Sequence, residues 1–329
     1  MQIAKEYTNG STLDLPRLLR TIMFFTFVCE AFGSFLLMLR FVPMFGGKGI
    51  WISVFLSVSA YCNAGFDILG FLKPDASLEL FVGDPLVCLT ICCLIILGGI
   101  GFIVTVDLYN WGRKRVRKEE RRPHLTLHTR IVLVSTASLL VLGTVLTLGL
   151  EYDHTLKDLN FWEKLNASFF QSVTARTAGY ATIPQGELGD ATKLVTIILM
   201  FIGASPSSTG GGIKTTTFVV LVATVVSISR GRDETVINKR RVDKSVVYRA
   251  MTIVAMAFLV IAITSGVIMV TTPPEVSAID AVYEAVSAFG TVGLTTGLTP
   301  DLSIVAKILV MLTTVSYTHL RAHETSAHL

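Results

Sequence analysis

Thr177-Ala178-Gly179-Tyr180 closes a short amphipathic stretch running from Phe161 to Arg176, and this arrangement has two partners along the chain. Asn63-Ala64-Gly65-Phe66 ends a moderately apolar stretch from Gly49 to Ala64, and Thr291-Val292-Gly293-Leu294 follows one from Ala278 to Phe289. Gly65 to Gly179 and Gly179 to Gly293 are both 114 positions (179 − 65 and 293 − 179). Equal intervals with equal context mark an internal repeat, which is read before any local motif. One such turn says little, because glycine also serves helix packing in membranes. Three copies point to one unit used three times.

Longer apolar segments flank each turn. Thr21 to Val42 precedes the first and Pro85 to Val106 follows it. Ile131 to Leu150 and the interrupted run Ala191 to Ser229 flank the second; Val246 to Val270 and Ile304 to Val315 flank the third. A hydrocarbon layer about 30 Å thick takes roughly 20 helical residues to cross. The chain is 51% hydrophobic and 16% charged, with a mean hydropathy of +0.63; soluble domains carry about 25% charged residues. The expected class is therefore an all-α integral membrane protein whose immediate partner is lipid. Its expected units are membrane helix, pore loop, membrane helix, grouped around a central pore.

The units are expected at 21–112, 131–229 (with a broken second helix) and 246–315, the last cut short. Residues 1–20, with Asp14, Pro16, Arg17 and Arg20, read as a cytoplasmic linker, since a signal peptide would pass at once into a short apolar core. Residues 113–130 and 230–245 read as cytoplasmic basic loops.

Charge placement supports this. Fifteen of the 28 Lys and Arg residues fall in or beside those loops. One group holds Arg113, Lys114, Arg115, Arg117, Lys118, Arg121, Arg122 and Arg130; the other holds Arg230, Arg232, Lys239, Arg240, Arg241, Lys244 and Arg249. Basic loops bracketed by apolar spans are the positive-inside signal. Both fall on one face if each short stretch dips into the membrane and returns. This placement, rather than the net charge of +4, decides against nucleic acid as a partner. Cys29, Cys62, Cys88, Cys92 and Cys93 lie in apolar stretches without metal-ligand spacing and read as packing residues.

Backbone that is neither helix nor closed barrel is tolerated at membrane depth only where protein or water surrounds it. Glycine reaches angles closed to other residues, and a glycine-centred turn can aim carbonyl oxygens at a cation and replace its water shell. Thr177 and Thr291 offer hydroxyls, Ala64, Ala178 and Val292 are small, and Phe66, Tyr180 and Leu294 are expected to brace the turns from behind. Asp67 falls at the expected pore mouth, either as a solvated carboxylate or as an attractor of cations.

Within Ala191 to Ser229 lies Gly203-Ala204-Ser205-Pro206-Ser207-Ser208-Thr209-Gly210-Gly211-Gly212, which cannot continue a helix. Interrupted spans tend to line translocation pathways, so a flexible polar gate below the filter is expected here. Lys214 either acts inside the membrane or snorkels to its cytoplasmic surface. The stretch is not a phosphate-binding P-loop, because Ile213 separates Gly212 from Lys214.

Asn63-Ala64-Gly65-Phe66-Asp67, Ala175-Arg176-Thr177-Ala178-Gly179-Tyr180, Ser207-Ser208-Thr209-Gly210-Gly211-Gly212-Ile213-Lys214-Thr215-Thr216-Thr217 and Ser287-Ala288-Phe289-Gly290-Thr291-Val292-Gly293-Leu294 together resemble the Ktr/Trk potassium transporter superfamily, nearer its Ktr membrane subunits. The resemblance runs from about Thr21 to Val315. It implies four pore-loop units around one pore in a bacterial cell membrane, with Gly65, Gly179 and Gly293 as three of four filter glycines. K+ would be held mainly by backbone carbonyls of the three turns, and residues 203–212 would form the intramembrane gate. It further implies a homodimer, a cytosolic ring of nucleotide-binding regulatory subunits, and stimulation by Na+.

Two departures from the family stand out. The first of four units is expected to lie before Met1. The 12 residues from Ile304 to Val315 are too few to span, and the 316–329 tail, with His319 and His323 at a helical metal-binding spacing, reads as foreign sequence. An arginine of the family's final helix, facing the gate, has no counterpart here. No clustered catalytic residues and no organic cofactor are expected. The alternatives are transport of another monovalent cation, or a membrane anchor for a cytosolic regulator.

Overall fold

The computed structural model describes residues 15–74, 76–117, 124–232, 234–237, 240–273 and 276–324. The expectations for residues 1–14, for Lys118, Arg121, Arg122 and Lys239, and for the last five residues of the tail lie outside these.

Eleven α-helices are found among the described residues: α1 (Leu15–Phe45), α2 (Gly47–Tyr61), α3 (Pro85–Gly99), α4 (Phe102–Val116), α5 (Leu127–Glu151), α6 (Phe161–Thr174), α7 (Asp190–Phe201), α8 (Thr215–Ser229), α9 (Lys244–Thr271), α10 (Ala278–Phe289) and α11 (Ile304–Glu324). A two-stranded ribbon, Val236–Ile237 against Arg240–Arg241, forms in the second basic segment, a small addition to the expected all-α chain. The first basic segment begins on a helix, since Arg113, Lys114 and Arg115 occupy the last turn of α4, where cations complement the helix dipole.

Among the described residues three helices are by themselves long and apolar enough to cross a membrane: Leu19–Phe45 of α1, α5 and α9. Only 17%, 22% and 33% of their most apolar windows are buried inside the protein. Met23, Phe24 and Phe27 of α1 and Phe258 of α9 point outward. That much outward apolar surface fits hydrocarbon as the surrounding solvent. By contrast α2, α6 and α10 have 15, 14 and 12 residues, or roughly 18–22 Å at 1.5 Å per residue. They stop short of a full crossing.

Local chemistry starts these helices where the pattern expects them. Asn160 and Glu163 form a reciprocal capping box on α6, Ser277 caps α10, and Asp84 followed by Pro85 opens α3. Each short helix packs on the long helix before it: α2 on α1, α6 on α5, α10 on α9. The cores then join neighbouring units. Phe170 and Tyr180 sit in one cluster with Leu56, Tyr61 and Ile91 of α2 and α3. Ala175 and Met200 join Tyr283, Phe289 and Val292 in another. The three turns are thereby fastened to one another as well as to their own helices.

Two expectations are corrected. Pro85 to Val106 is not one straight span: α3 and α4 meet at an angle of 98°. The break is at Gly101, whose φ is +90°, and a side chain there would collide with the Pro206 carbonyl oxygen. The last apolar run ends where expected, but the helix that carries it does not stop at Val315. α11 continues to Glu324, because residues 316–324 contain no Gly or Pro to end it. His319 and His323 therefore lie on a helix.

Candidate functional site

The three turns share one backbone course. Asn63, Thr177 and Thr291 have φ of 51°, 73° and 51°, and Gly65, Gly179 and Gly293, two residues on, have φ of 71°, 87° and 90°. Left-handed residues alternating with ordinary ones turn successive carbonyls away from the opposed directions of a strand. The amides of Ala64, Ala178 and Val292 close each turn onto the Ser59, Thr174 and Ser287 carbonyls at 2.9, 3.0 and 2.9 Å.

The turns also converge. A side chain on Gly65 would strike the Ala178 carbonyl oxygen, and one on Gly179 would strike the Val292 carbonyl oxygen. From Gly293 the nearest such neighbour is the Gly179 Cα, at 3.7 Å. The sequence Gly65, Gly179, Gly293 is thus a spatial succession, the first and second turns each presenting the glycine to the carbonyl of the next.

Hydroxyls from the ends of the short helices brace all three turns. Ser59 Oγ donates to the Phe66 carbonyl at 2.8 Å, Thr174 Oγ1 to the Tyr180 carbonyl at 2.6 Å, and Ser287 Oγ to the Leu294 carbonyl at 2.6 Å. Tyr180 Oη adds a second donor to the Phe66 carbonyl, at 3.1 Å, and so ties two turns together. Tyr180 and Leu294 are buried behind their turns as expected. Phe66 is not: its ring is 69% exposed, and only its carbonyl takes part. Asp67 caps its own loop by accepting from the Leu69 amide at 2.9 Å.

The 203–212 segment lies directly against the turns. The Gly211 amide donates to Thr177 Oγ1 at 3.2 Å. Asn63 Nδ2 donates to Thr209 Oγ1 at 3.1 Å, and that hydroxyl donates to the Tyr61 carbonyl at 3.1 Å. A side chain on Gly210 would collide with Thr177 Oγ1, and one on Gly211 with Thr291 Oγ1. The loop therefore touches Asn63, Thr177 and Thr291, the left-handed residue of every turn.

The loop, expected to be a flexible gate, is hydrogen-bonded within itself and to its neighbours. At its neck the Gly203 amide meets the Ile213 carbonyl, and the Ala204 amide meets the Gly211 carbonyl, both at 3.0 Å. Ser205 pairs with Thr215 through their hydroxyls at 3.0 Å, and Ser208 Oγ donates to the Ser205 carbonyl at 2.6 Å. Gly212 and Ser207 supply the left-handed bends, with φ of 67° and 56°. The α3–α4 bend cradles the loop: the Ser205 amide donates to the Gly99 carbonyl at 3.0 Å, and the Phe102 amide to the Ser207 carbonyl at 2.9 Å. Lys214 does not snorkel. It is 2% exposed, and its Nζ donates to the Gly210 carbonyl at 2.8 Å.

A family profile named TrkH and described as a cation transport protein matches residues 4–316. The chain belongs to this family. It is 37% identical over 313 residues to Ktr system potassium uptake protein B of Bacillus subtilis, covering 94% of this chain and 67% of that one. It is 39% identical over 316 residues to potassium/sodium uptake protein NtpJ of Enterococcus hirae, again with 94% and 67% covered. The crystal structure of the potassium transporter TrkH from Vibrio parahaemolyticus has the same fold: the TM-score is 0.70 at 16% identity, over 97% of this chain and 66% of that one. The chain thus spans about two thirds of the length of these relatives.

In this TrkH-family chain the described residues of the site present backbone carbonyl and side-chain hydroxyl oxygens. Among the described residues no group of three or more His, Cys, Asp or Glu is placed to hold a metal ion, and all five cysteines are free. Sequence reading missed three parts of the site. The brace hydroxyls escape notice because Ser59 and Ser287 stand 228 positions apart (287 − 59), whereas the middle unit uses Thr174, one place later in register. Arg176, quoted within the motif, gains its role from a backbone carbonyl 27 residues away. Glu284, buried in α10, takes the Thr296 amide at 3.0 Å and the Thr295 and Thr299 hydroxyls at 2.5 and 2.9 Å, holding the segment after the third turn.

Proposed function

We propose that this chain is the larger part of a membrane subunit that takes up potassium ions through a carbonyl-lined, gated pore, without covalent chemistry. The observation that carries the reading is the packing of the 203–212 loop against the left-handed residue of all three converging turns. In this reading the carbonyls of residues 63–65, 177–179 and 291–293 coordinate K+, while those of Phe66, Tyr180 and Leu294, expected among the ligands, are taken by hydroxyls behind the turns. A fourth turn completes the ring beside Gly293 in the whole protein. Residues 203–212, with Lys214 fixing Gly210, form the gate. The subunit works in the bacterial inner membrane as a homodimer on a cytosolic ring of nucleotide-binding subunits.

Support for potassium comes from the name of the Bacillus relative, and the Enterococcus name adds sodium. Transport of Na+ alongside K+, or stimulation by Na+, is the second reading. The test is growth at low potassium of a bacterial strain lacking its own uptake systems. The full-length protein should rescue growth, and its Gly179→Ser form should not at equal expression. Rescue by both would sink the filter assignment. Deleting Ser205 to Gly211 should raise flux; unchanged flux with normal assembly contradicts the gate.

A further inference from the structure

Arg176 is buried just beyond the C-terminus of α6, and among the described residues it has no ion pair. Its Nη2 donates to the Gly203 carbonyl at 3.1 Å, at the neck of the loop. Burying a guanidinium is costly unless its N–H groups are satisfied, yet its Nε has no protein partner. The Thr136 hydroxyl on α5 is buried and also without one.

Both residues line the same small cavity behind the loop, together with Gly99, Leu140, Val173 and Ala204. Its space for a water centre is about 10 Å³, which is room for a single water. Such a water needs two or more polar partners, and the residues that line the cavity carry these two unpartnered groups. The equivalent positions in the other turns are Cys62 and Gly290, so a guanidinium stands only in the turn beside the loop's neck.

We propose that Arg176 is a positioning residue that latches the neck of the 203–212 loop to the second pore helix, with one buried water joining its Nε to Thr136 on α5. The latch couples the filter end of α6, the broken span and α5 into one unit behind the pore. It goes beyond the assignment of the loop as a gate and, for its effect on flux, rests on that assignment.

The direct test does not need the gate. In the full-length protein, amide hydrogen exchange is followed for peptides covering 202–205, with a peptide from the middle of α9 as control. Arg176→Met should speed exchange at the neck on the order of tenfold, as expected for a lost hydrogen bond from a charged group, and leave α9 unchanged. Arg176→Lys should restore part of the protection. Thr136→Val, a milder change, should speed neck exchange less and add little in combination with Arg176→Met. Unchanged exchange at the neck, or equal acceleration in α9, overturns the latch, and an unaltered Thr136→Val protein overturns the water bridge. If Arg176→Met fails to assemble, the lysine and valine variants decide. Flux then separates the two readings: Arg176→Met should raise flux in the intact protein and add nothing once Ser205 to Gly211 are deleted. A loop deletion that leaves flux unchanged counts against the gate alone.

Discussion

The backbone amide of Gly211 donates to the side-chain hydroxyl of Thr177 at 3.2 Å, joining the middle of the broken span to the second glycine turn. A side chain on Gly211 would collide with both Thr291 Oγ1 and the Gly290 carbonyl oxygen. The loop can approach the turns this closely only because residues 210 and 211 are glycines.

Gly211→Ala should therefore push the loop off the turns. The Gly290 carbonyl belongs to the end of a buried pore helix and yields less readily than the loop. The expected outcome is ion flux raised several-fold in vesicles, with assembly intact. Flux at or below that of the parent protein would contradict a closed loop held against the filter.

Thr174→Val removes the donor to the Tyr180 carbonyl while keeping the shape of the side chain. A buried carbonyl left without its partner costs about 1–3 kcal/mol. Thermal unfolding should fall accordingly, and discrimination of K+ against Na+ should weaken because Tyr180 also holds the Phe66 carbonyl. Unaltered selectivity would confine the hydroxyl to a packing role.

Glu284→Gln should loosen the segment after the third turn. The carboxylate accepts from Thr295, Thr296 and Thr299, and the neutral amide offers one acceptor oxygen in place of two. Faster hydrogen exchange across 295–299 is the expected result. Exchange equal to that of the parent protein would show that the loop is held by other contacts.

How much of this was legible from sequence follows from what each signal measures. The short helices and their turns were readable because glycine at a constant interval reports a backbone angle. The broken span was readable because Pro206 and three successive glycines stop a helix. The bend between α3 and α4 was not. The run from Pro85 to Val106 is apolar throughout, and hydropathy reports composition rather than direction, so Gly101 passed as one small residue among several. The outward ring of Phe66 escaped for a related reason, since a periodic turn conserves the path of the chain while each side chain answers to its own neighbours. Lys214 was ambiguous because its partner is the Gly210 carbonyl, and backbone acceptors carry no residue-type signature. α11 ran past its expected end because the change of composition after Val315 altered polarity without altering helix propensity.

The most direct measurement is potassium uptake, with sodium as competitor, by the full-length protein and its Gly179→Ala variant in sealed vesicles. Gly179 has a φ of 87°, and a methyl group there strikes the Val292 carbonyl oxygen. The expected result is lost preference for potassium over sodium in the variant at equal insertion, with the parent protein selective. Equal selectivity in the two proteins would contradict a filter built from these turns.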